Sequence, residues 1–568
     1  MPRPSSVFLK RLEAARHLRP GVPAVLRLLR TASRLEFRDP EDLIRLHEAL
    51  LFLRAYPHDA RVLRASERLL RDFARRVARL RDSDSEFDLD AFDALEVAGV
   101  AGTVVSTDFS FDLVRRLLPR HPRELSIDWD ACNAEDRMRA TWPAFVPLLE
   151  EEALADANVP YREWLAAAAG REENDAAWIV PRYEALPGTD DDRAERWDSL
   201  GAPVAWDLAR SRSSRTRMRR PGPSPFFHGG PLLPRREVSL DAIVGGPPLA
   251  LRRLSRREGE RVCDMVRDAT AVRYREFYTF TYADPASVVS ARPGRGVELF
   301  LLGVTPDRRL PLRAAYGGFV VKNGVPVGYI EGLAFLERLE IGFNVYYTFR
   351  EGESAWIYAQ VLRLHRDALG VTSFSIDPYQ LGFQNEEAIS SGAFWFYRKL
   401  GFRPTDASVA RGVAREESRI ARDPAYRSSP AALRRLVTHN VLYEAPGGLH
   451  PRGEWDRFHV REIGLAVNRR MRREFGGSAA RLRTVSEGRV AAALGMAIPR
   501  EQVARRAFSE LALVLDLIPD LERWSAAERR AAAAVVRAKA GPLERAYLRG
   551  LQRHARLRRA LIRLGTRA

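Results

Sequence analysis

Cysteine, lysine and long apolar runs are scarce in this chain. Its 568 residues include two cysteines, Cys132 and Cys263, which are too few for a disulfide framework or for a zinc site of cysteine pairs. No apolar run approaches the roughly 18 residues that a membrane span needs, and the N-terminus lacks the apolar stretch of a secretory signal. The ten histidines form no HExxH motif and no tight cluster, so we expect no metal site. We therefore expect a cytoplasmic protein.

The charge of the chain is positive and unevenly distributed. Of the 92 Lys and Arg residues only four are lysines, a bias that is typical of a GC-rich genome. The segment from residue 406 to the C-terminus has 33 basic and 17 acidic residues, so it carries +16 of the net charge of +18. The overall composition, 46% hydrophobic and 29% charged, indicates a globular protein rather than a collagen-like or disordered chain.

Composition and periodicity divide the chain into four parts. Residues 1–207 show the helical spacing of apolar residues, for example at 40–56, 61–79, 111–118 and 161–169, and are predicted as a helical domain. Residues 208–238 are rich in arginine and proline and are predicted as an exposed linker or basic arm. Residues 239–445 mix strand and helix patterns. Residues 446–568 are predicted as a basic helical region.

The third part contains the clearest secondary-structure signals. Asn323-Gly324 between two β-rich runs predicts a hairpin with a type I′ turn, because both central residues of that turn need φ > 0. Further strands are predicted at 248–254, 297–304, 340–349 and 371–376, and helices at 256–270, 355–369 and 393–400. This order predicts an α+β fold in which a mixed sheet is flanked by helices.

Two segments of this part resemble the GNAT superfamily of acyl-CoA-dependent N-acyltransferases. One is the strand–loop–helix segment VYYTFREGESA at 345–355, and the other is AFWFYRKLGF at 393–402. The resemblance covers about residues 240–405, less than a third of the chain. It implies a GNAT-like mixed sheet, acetyl-CoA or another acyl-CoA as co-substrate, and direct transfer of an acyl group, in the first instance acetyl, to an unidentified amine acceptor.

The first segment predicts an anion site. N–H groups at a helix start lack internal partners and carry partial positive charge, so a loop that leads directly into a helix suits a pyrophosphate. GNAT proteins use the pattern Arg/Gln-x-x-Gly-x-Gly/Ala here, which Arg350 and Ala355 match. Glu353 takes the place of the middle glycine, and Gly352 lies one residue early. The predicted cofactor-binding residues of this loop are Arg350, Glu351, Gly352, Glu353, Ser354 and Ala355.

The strand before this loop is expected to splay from the strand at 371–376. The resemblance implies that exposed peptide groups in the gap pair with the pantetheine amides, as an added strand would. A backbone amide there would also stabilise the tetrahedral oxyanion. The residues concerned are Phe343, Asn344 and Val345.

The second segment supplies a candidate general acid. The resemblance implies that Tyr397 lies near the CoA sulfur, where a well-positioned phenol can protonate the leaving thiolate. The alternative is that Tyr397 is a core aromatic residue beside the apolar stripe of its helix. Asn385 and Ser390 are the residues predicted to hydrogen-bond the pantetheine arm.

An acceptor amine is protonated near neutral pH, so the reaction needs a base. Glu340 and Glu331 are the carboxylates in suitable strand positions, and Asp377 at a strand end is a third candidate. We take Glu340 as the first choice for the catalytic base. The alternative for each is a solvent-facing strand residue.

The C-terminal helix is cationic and amphipathic, with an apolar stripe that runs from Leu543 to Leu564. Such a helix can lie on an anionic membrane surface or on nucleic acid, or it can pack its stripe on its own protein. The alternative to catalysis is therefore an inactive GNAT-like binding or regulatory protein whose basic tail contacts nucleic acid, anionic lipid or an acidic partner. A third reading is the related fold that transfers amino acids from aminoacyl-tRNA.

Overall fold

The structure, a computed structural model, describes residues 4–18, 21–83, 89–132, 135–153, 159–170, 174–222, 224–448 and 451–566. Helices account for 53% and strands for 13% of the chain, and a large mixed sheet occupies its centre. The prediction of an α+β chain with a mixed sheet and flanking helices is confirmed.

The helices of the described residues fall into three groups along the chain. Those before the large sheet are α1 (Pro4–Leu18), α2 (Val22–Arg34), α3 (Pro40–Ala55), α4 (Ala60–Arg71), α5 (Phe73–Ser83), α6 (Phe111–Leu117), α7 (Glu135–Met138), α8 (Glu150–Ala153), α9 (Tyr161–Ala169), α10 (Asp175–Ala185), α11 (Asp190–Leu200) and α12 (Leu240–Val244). Those among its strands are α13 (Arg256–Ala271), α14 (Tyr278–Thr281), α15 (Ser354–Leu369), α16 (Pro378–Leu381), α17 (Glu386–Ser390), α18 (Ala393–Lys399), α19 (Ala407–Arg422) and α20 (Pro430–Leu436). Those after it are α21 (Val460–Phe475), α22 (Ala479–Leu494), α23 (Gln502–Leu515), α24 (Ala526–Lys539), α25 (Arg545–Arg553) and α26 (Ala555–Gly565).

The strands of the described residues form two sheets. A small sheet in the order β1-β3-β2 contains β1 (Val104–Thr107), β2 (Leu125–Ile127) and β3 (Val204–Asp207). The large sheet contains β4 (Arg252–Arg253), β5 (Val289–Gly294), β6 (Val297–Gly303), β7 (Ala314–Lys322), β8 (Val325–Phe335), β9 (Arg338–Val345), β10 (Ser373–Ile376), β11 (Arg403–Pro404) and β12 (Val441–Glu444). The small sheet and strand β5 were not expected from the sequence.

The large sheet is antiparallel except at one place. Its strand order is β11-β12-β10-β9-β8-β7-β6-β5-β4, and β9 and β10 are its parallel neighbours. A parallel pair needs a crossover connection, which α15 supplies between these two strands. The parallel pair therefore lies inside the sheet rather than at its edge.

The predicted hairpin is present between β7 and β8. Asn323 has φ of 49° and Gly324 has φ of 84°, as a type I′ turn requires. A register shift in the β7–β8 ladder begins at the pair formed by Pro326, which has no N–H to donate. The hairpin tip does not project into solvent, because the N–H of Arg220 donates to Gly324 O at 2.7 Å.

The buried apolar residues form three cores. The first joins helices α1–α5 to the large sheet and α15, so it crosses the expected boundary at residue 207. The second contains the small sheet and helices α6, α9, α10 and α11. The third contains helices α21–α26 together with Phe335, Leu336 and Leu442 of the central part. Helix α3 is buried along most of its length because it lies inside the first core.

The prediction of an exposed linker is wrong for residue 211 and for residues 213–216, which are buried. Arg215 is 2% exposed, and its guanidinium lies 2.8 Å from the carboxylate of Glu48 on α3. Its Nη2 also donates to Thr348 Oγ1 at 3.0 Å, just after β9. The arginines that resemble a solvated arm in the sequence thus include one that neutralises a buried carboxylate, and the segment connects α3 to the sheet.

The apolar stripe of the C-terminal helix packs on the protein itself. The predicted single helix is two helices, α25 and α26, which meet at His554. The ring of His554 is hydrogen-bonded to Glu528 O at 2.9 Å and accepts from the N–H of Leu557. Tyr547 and Leu561 are at most 2% exposed. Of the helices that the structure describes, none combines the length and apolar character of a membrane span.

Candidate functional site

The parallel strands β9 and β10 separate after three residue pairs. Arg338, Leu339 and Glu340 lie opposite Ser373, Phe374 and Ser375, and the pairing stops there. Strand β9 continues to Val345 beside β8, whereas the chain leaves β10 at Asp377 and enters α16. The edge of β9 that faces β10 is therefore unpaired beyond Glu340, and the strand predicted to reach residue 349 ends at Val345.

The open edge of β9 offers backbone hydrogen-bonding groups. The N–H of Tyr346 donates to Val327 O at 3.0 Å, which fixes the register against β8. Because peptide groups alternate in direction along an antiparallel pair, those of Gly342 and Asn344 point toward β8. Those of Phe343 and Val345 point into the gap that β10 has left.

A cavity of about 280 Å³, which we call the splay cavity, occupies this gap. Seven of the residues predicted from the sequence line it, namely Phe343, Asn344, Val345, Arg350, Ser354, Asn385 and Tyr397. Six others that were not predicted also line it, namely Gln380, Glu387, Ala388, Ser391, Ala393 and Phe396. The cavity is thus bounded by residues of β9, α15 and α18.

Tyr397 lies at the inner end of the splay cavity. The residue is 4% exposed, and its ring packs 5.7 Å from that of Tyr358 on α15. Its hydroxyl makes no hydrogen bond with any residue that the structure describes. Burial raises the pKa of Tyr397, so the phenol keeps its proton throughout the physiological range. The residue is therefore a core aromatic residue that keeps its proton and lines the cavity.

The outer end of the splay cavity is charged. Arg350 and Glu387 form an ion pair of 2.6 Å between the loop before α15 and helix α17. The first hydrogen bond of α15 runs from the N–H of Ile357 to Glu353 O at 2.9 Å. The N–H groups of Ser354, Ala355 and Trp356 therefore have no partner inside the helix. An anion at this end would meet Arg350 and the start of α15.

Four predicted loop residues do not line the splay cavity. Gly352 lies under helix α3, because a Cβ built on it would be 2.5 Å from the hydroxyl of Tyr56. Glu351 is exposed, and Ala355 is buried inside the first turn of α15. The prediction that residues 351–355 form an open cradle is therefore wrong for most of the loop, since α3 covers one side of it.

Glu353 turns away from the cavity into a buried cluster of charges. Its carboxylate lies 3.2 Å from the ammonium of Lys322 and accepts hydrogen bonds of 3.1 Å from Nε of Arg295. Burial opposes its ionisation, but the hydrogen bond of Arg295 and the charges of Lys322 and His228 lower the pKa of Glu353 to about 2. The carboxylate at the glycine position is thus neutralised inside the protein and does not repel an anion in the cavity.

The two predicted pantetheine contacts differ in position. Asn385 lines the splay cavity and caps α17, where its Oδ1 accepts from the N–H of Ala388 at 3.1 Å. Ser390 is exposed outside the cavity, and its hydroxyl donates to Glu387 O. Gln380, which the sequence did not indicate, reaches the cavity because Gly342 has no side chain; a Cβ there would be 3.4 Å from its amide nitrogen.

The two candidate bases also differ in surroundings. Glu340 lies 3.4 Å from Arg313 and does not line the splay cavity. Glu331 lies opposite Gly342 in the β8–β9 ladder, half-buried on the sheet face away from α15. It makes no ion pair or hydrogen bond with any described residue, and burial raises the pKa of its carboxyl. Neither carboxylate lines the splay cavity, and of the two only Glu331 lacks a partner among the described residues.

Comparisons of the chain with protein-family models, with curated proteins and with solved structures gave no match. Within the described ranges, no three His, Cys, Asp or Glu side chains come together in a way that could hold a metal ion.

Proposed function

We propose that the protein is an acyl-CoA-dependent N-acyltransferase whose thioester binds in the splay cavity. The observation that carries this proposal is that one cavity is lined both by Phe343 and Val345, whose N–H groups are not paired with β8, and by Tyr397. A pantetheine arm carries two amides, which an open strand edge can bind as it would an added strand. The anionic end of CoA then lies toward Arg350 and the start of α15.

The proposed reaction transfers the acyl group directly. The amine nitrogen attacks the thioester carbonyl carbon, a C–N bond forms, and the C–S bond breaks. Glu331 accepts the proton of the amine, directly or through water, and Tyr397 donates a proton to the leaving thiolate. The N–H of Phe343 or Val345 donates to the oxyanion. The products are an amide and free CoA, and the acceptor receives the acetyl group in the first instance.

Access to the anionic end requires a change of partner for Arg350. Its ion pair with Glu387 is solvent-exposed, with side-chain exposures of 38% and 55%. Exposed ion pairs contribute roughly 0–1 kcal/mol, so a bidentate phosphate contact is sufficient to replace this one. The pair is thus a weak barrier to the proposed ligand.

Calorimetric titration of the full chain with acetyl-CoA tests the proposal. We expect saturable binding to the wild type and at least tenfold weaker binding to Ser391→Trp, which fills the cavity from its exposed rim. The matched control is Ser418→Trp, since Ser418 is an exposed helical serine on α19 that does not line the cavity. Equal binding by the two variants would contradict the proposed location.

One observation favours the alternative of an inactive binding protein. Helix α3 covers Gly352, and Glu353 is committed to a buried cluster, so the loop is less open than the resemblance implies. If acetyl-CoA and longer acyl-CoAs do not bind at millimolar concentration, the alternative is supported. The basic tail would then be the candidate contact for nucleic acid, anionic lipid or an acidic protein.

A further inference from the structure

A second cavity, which we call the far-face cavity, lies beside the same splay. It has a volume of about 650 Å³, and its sheet wall contains Leu333 of β8 with Arg338 and Glu340 of β9. Phe343 faces α15, with its ring 5.0 Å from that of Tyr358. Because side chains alternate along a strand, Arg338 and Glu340 project from the opposite face. Asp377, which directly follows β10, also lines it.

The two carboxylates that line the far-face cavity and two of its three arginines have partners there. Glu340 lies 3.4 Å from Arg313. Arg338 donates to Phe458 O at 2.7 Å and to Ser375 Oγ at 2.9 Å. Asp377 accepts from the N–H of Tyr379 at 2.9 Å.

Among the other polar side chains that line the far-face cavity, one charged group has no partner among the described residues. The ring of His439 is hydrogen-bonded to Thr438 at 3.1 Å, and His459 is the residue before α21. Arg461 is exposed on the first turn of α21 and lines the cavity. Its guanidinium forms no ion pair or hydrogen bond with the residues that the structure describes. Arg461 can therefore bind an anionic group in the cavity, and its planar guanidinium suits a carboxylate.

The far-face cavity also has exposed aromatic walls. Tyr379 is 56% and Phe383 is 43% exposed, and both line the cavity. Two large exposed rings beside a polar cavity indicate a binding surface for a ring or another flat apolar group. Glu331 lies on the same face of the sheet as Leu333, two residues away along β8.

We propose that the far-face cavity binds an amine that also carries an aromatic ring and a carboxylate. The ring contacts Tyr379 and Phe383, the carboxylate binds Arg461, and the amine faces Glu331 and Glu340. The identification of this ligand as the acyl acceptor rests on the proposed function. The prediction that the ligand binds does not rest on that function, because the far-face cavity is present whether or not an acyl-CoA occupies the splay cavity.

Calorimetry in the absence of any acyl-CoA tests the proposal with three dipeptides. Glycyl-tryptophan has the amine, the ring and the carboxylate, glycyl-tryptophan amide lacks the carboxylate, and glycyl-alanine lacks the ring. We expect the first to bind about tenfold more tightly than either of the others, as the loss of one charged hydrogen-bonded contact implies. Arg461→Gln should weaken glycyl-tryptophan about tenfold and leave the amide unchanged.

The matched control is Arg472→Gln. Arg472 is an exposed arginine of the same helix, has no ion pair among the described residues and does not line the cavity. Its substitution should leave all three affinities unchanged. Equal affinities for glycyl-tryptophan and its amide, wild-type affinity in Arg461→Gln, or no binding of glycyl-tryptophan at millimolar concentration would each overturn the proposal. Failure of acetyl-CoA to bind would overturn the proposed function alone.

Discussion

The carboxylate of Glu353 lies 3.2 Å from the ammonium of Lys322, and both side chains are fully buried. This pair joins the residue that precedes helix α15 to the end of strand β7, beside the splay cavity. It explains how a glutamate occupies the glycine position of the loop without placing negative charge in the cavity. The cluster therefore contributes to folding and to the shape of the loop.

Lys322→Met should destabilise the protein by about 3–5 kcal/mol, since removal of one partner leaves a buried charge less compensated.

Because the pKa of Glu353 is lowered from 4.5 to about 2, the ionised carboxyl stabilises the fold fully above pH 4.5, and this contribution is lost as pH falls toward 2. Denaturant titrations of wild type and Glu353→Gln should therefore converge as the pH is lowered. A difference in stability that stays constant from pH 6 to pH 3 would contradict this.

Arg215→Met tests whether the arginine-rich segment is part of the core. Burial opposes the charge of Glu48, but the Arg215 guanidinium and hydrogen bonds from His47 and Thr348 lower the pKa of its carboxyl to about 2. Loss of Arg215 should therefore cost about 3–5 kcal/mol of unfolding free energy. Arg212→Met is the control, because Arg212 is exposed in the same segment, and should change stability by less than about 0.5 kcal/mol. If Arg215→Met changed the unfolding free energy as little as Arg212→Met does, Arg215 would belong to a solvated arm.

Tyr397→Phe should lower turnover by about 10²–10⁴-fold and leave acetyl-CoA affinity nearly unchanged. The physical reason is that the ring, which packs the core, is retained while the proton donor is lost. Tyr358→Phe removes a neighbouring buried hydroxyl that has no hydrogen-bond partner among the described residues and does not line the cavity. Turnover measured as release of free CoA should be close to wild type in that control. Unchanged turnover in Tyr397→Phe would remove this residue from the mechanism.

Glu331→Gln should lower turnover by about 10²–10⁴-fold and abolish the acid limb of the pH profile. Burial raises the pKa of Glu331 above 4.5, so the wild-type kcat/KM should rise with pH as this carboxyl loses its proton, and then level off. The measurement is kcat/KM against pH for both proteins. An acid limb that persists in Glu331→Gln would assign the base to another group, with Glu340 as the next candidate.

The sequence predicted the strands and helices of the central sheet better than their surroundings. Asn323-Gly324 and the helix end at Gly370 are local signals, because turn and cap conformations depend on the residues themselves. Gly370 has φ of 73°, as an αL cap requires. By contrast, the burial of Arg215 depends on Glu48, which lies 167 residues away. No local pattern distinguishes an arginine that pairs inside the core from one on a solvated arm.

The sequence predicted only part of the candidate site, because some of its residues belong to local motifs and others depend on distant contacts. Val345, Arg350 and Tyr397 belong to two motifs of the resemblance, and all three line the splay cavity. The close packing of Tyr56 on Gly352 could not be predicted, because Tyr56, which directly follows helix α3, precedes the motif by nearly 300 residues. Gln380 was not predicted, because it reaches the cavity past a position where Gly342 has no side chain.

Amide hydrogen exchange of residues 341–345, measured with and without acetyl-CoA, shows whether the edge of β9 binds the thioester. We expect these amides to exchange more slowly when acetyl-CoA is bound, because the N–H groups of Phe343 and Val345 gain acceptors in the splay cavity. Residues 328–332 of the adjacent strand β8, which are already paired on both sides, should be unaffected. Saturating acetyl-CoA that leaves the exchange of residues 341–345 unchanged would contradict the account.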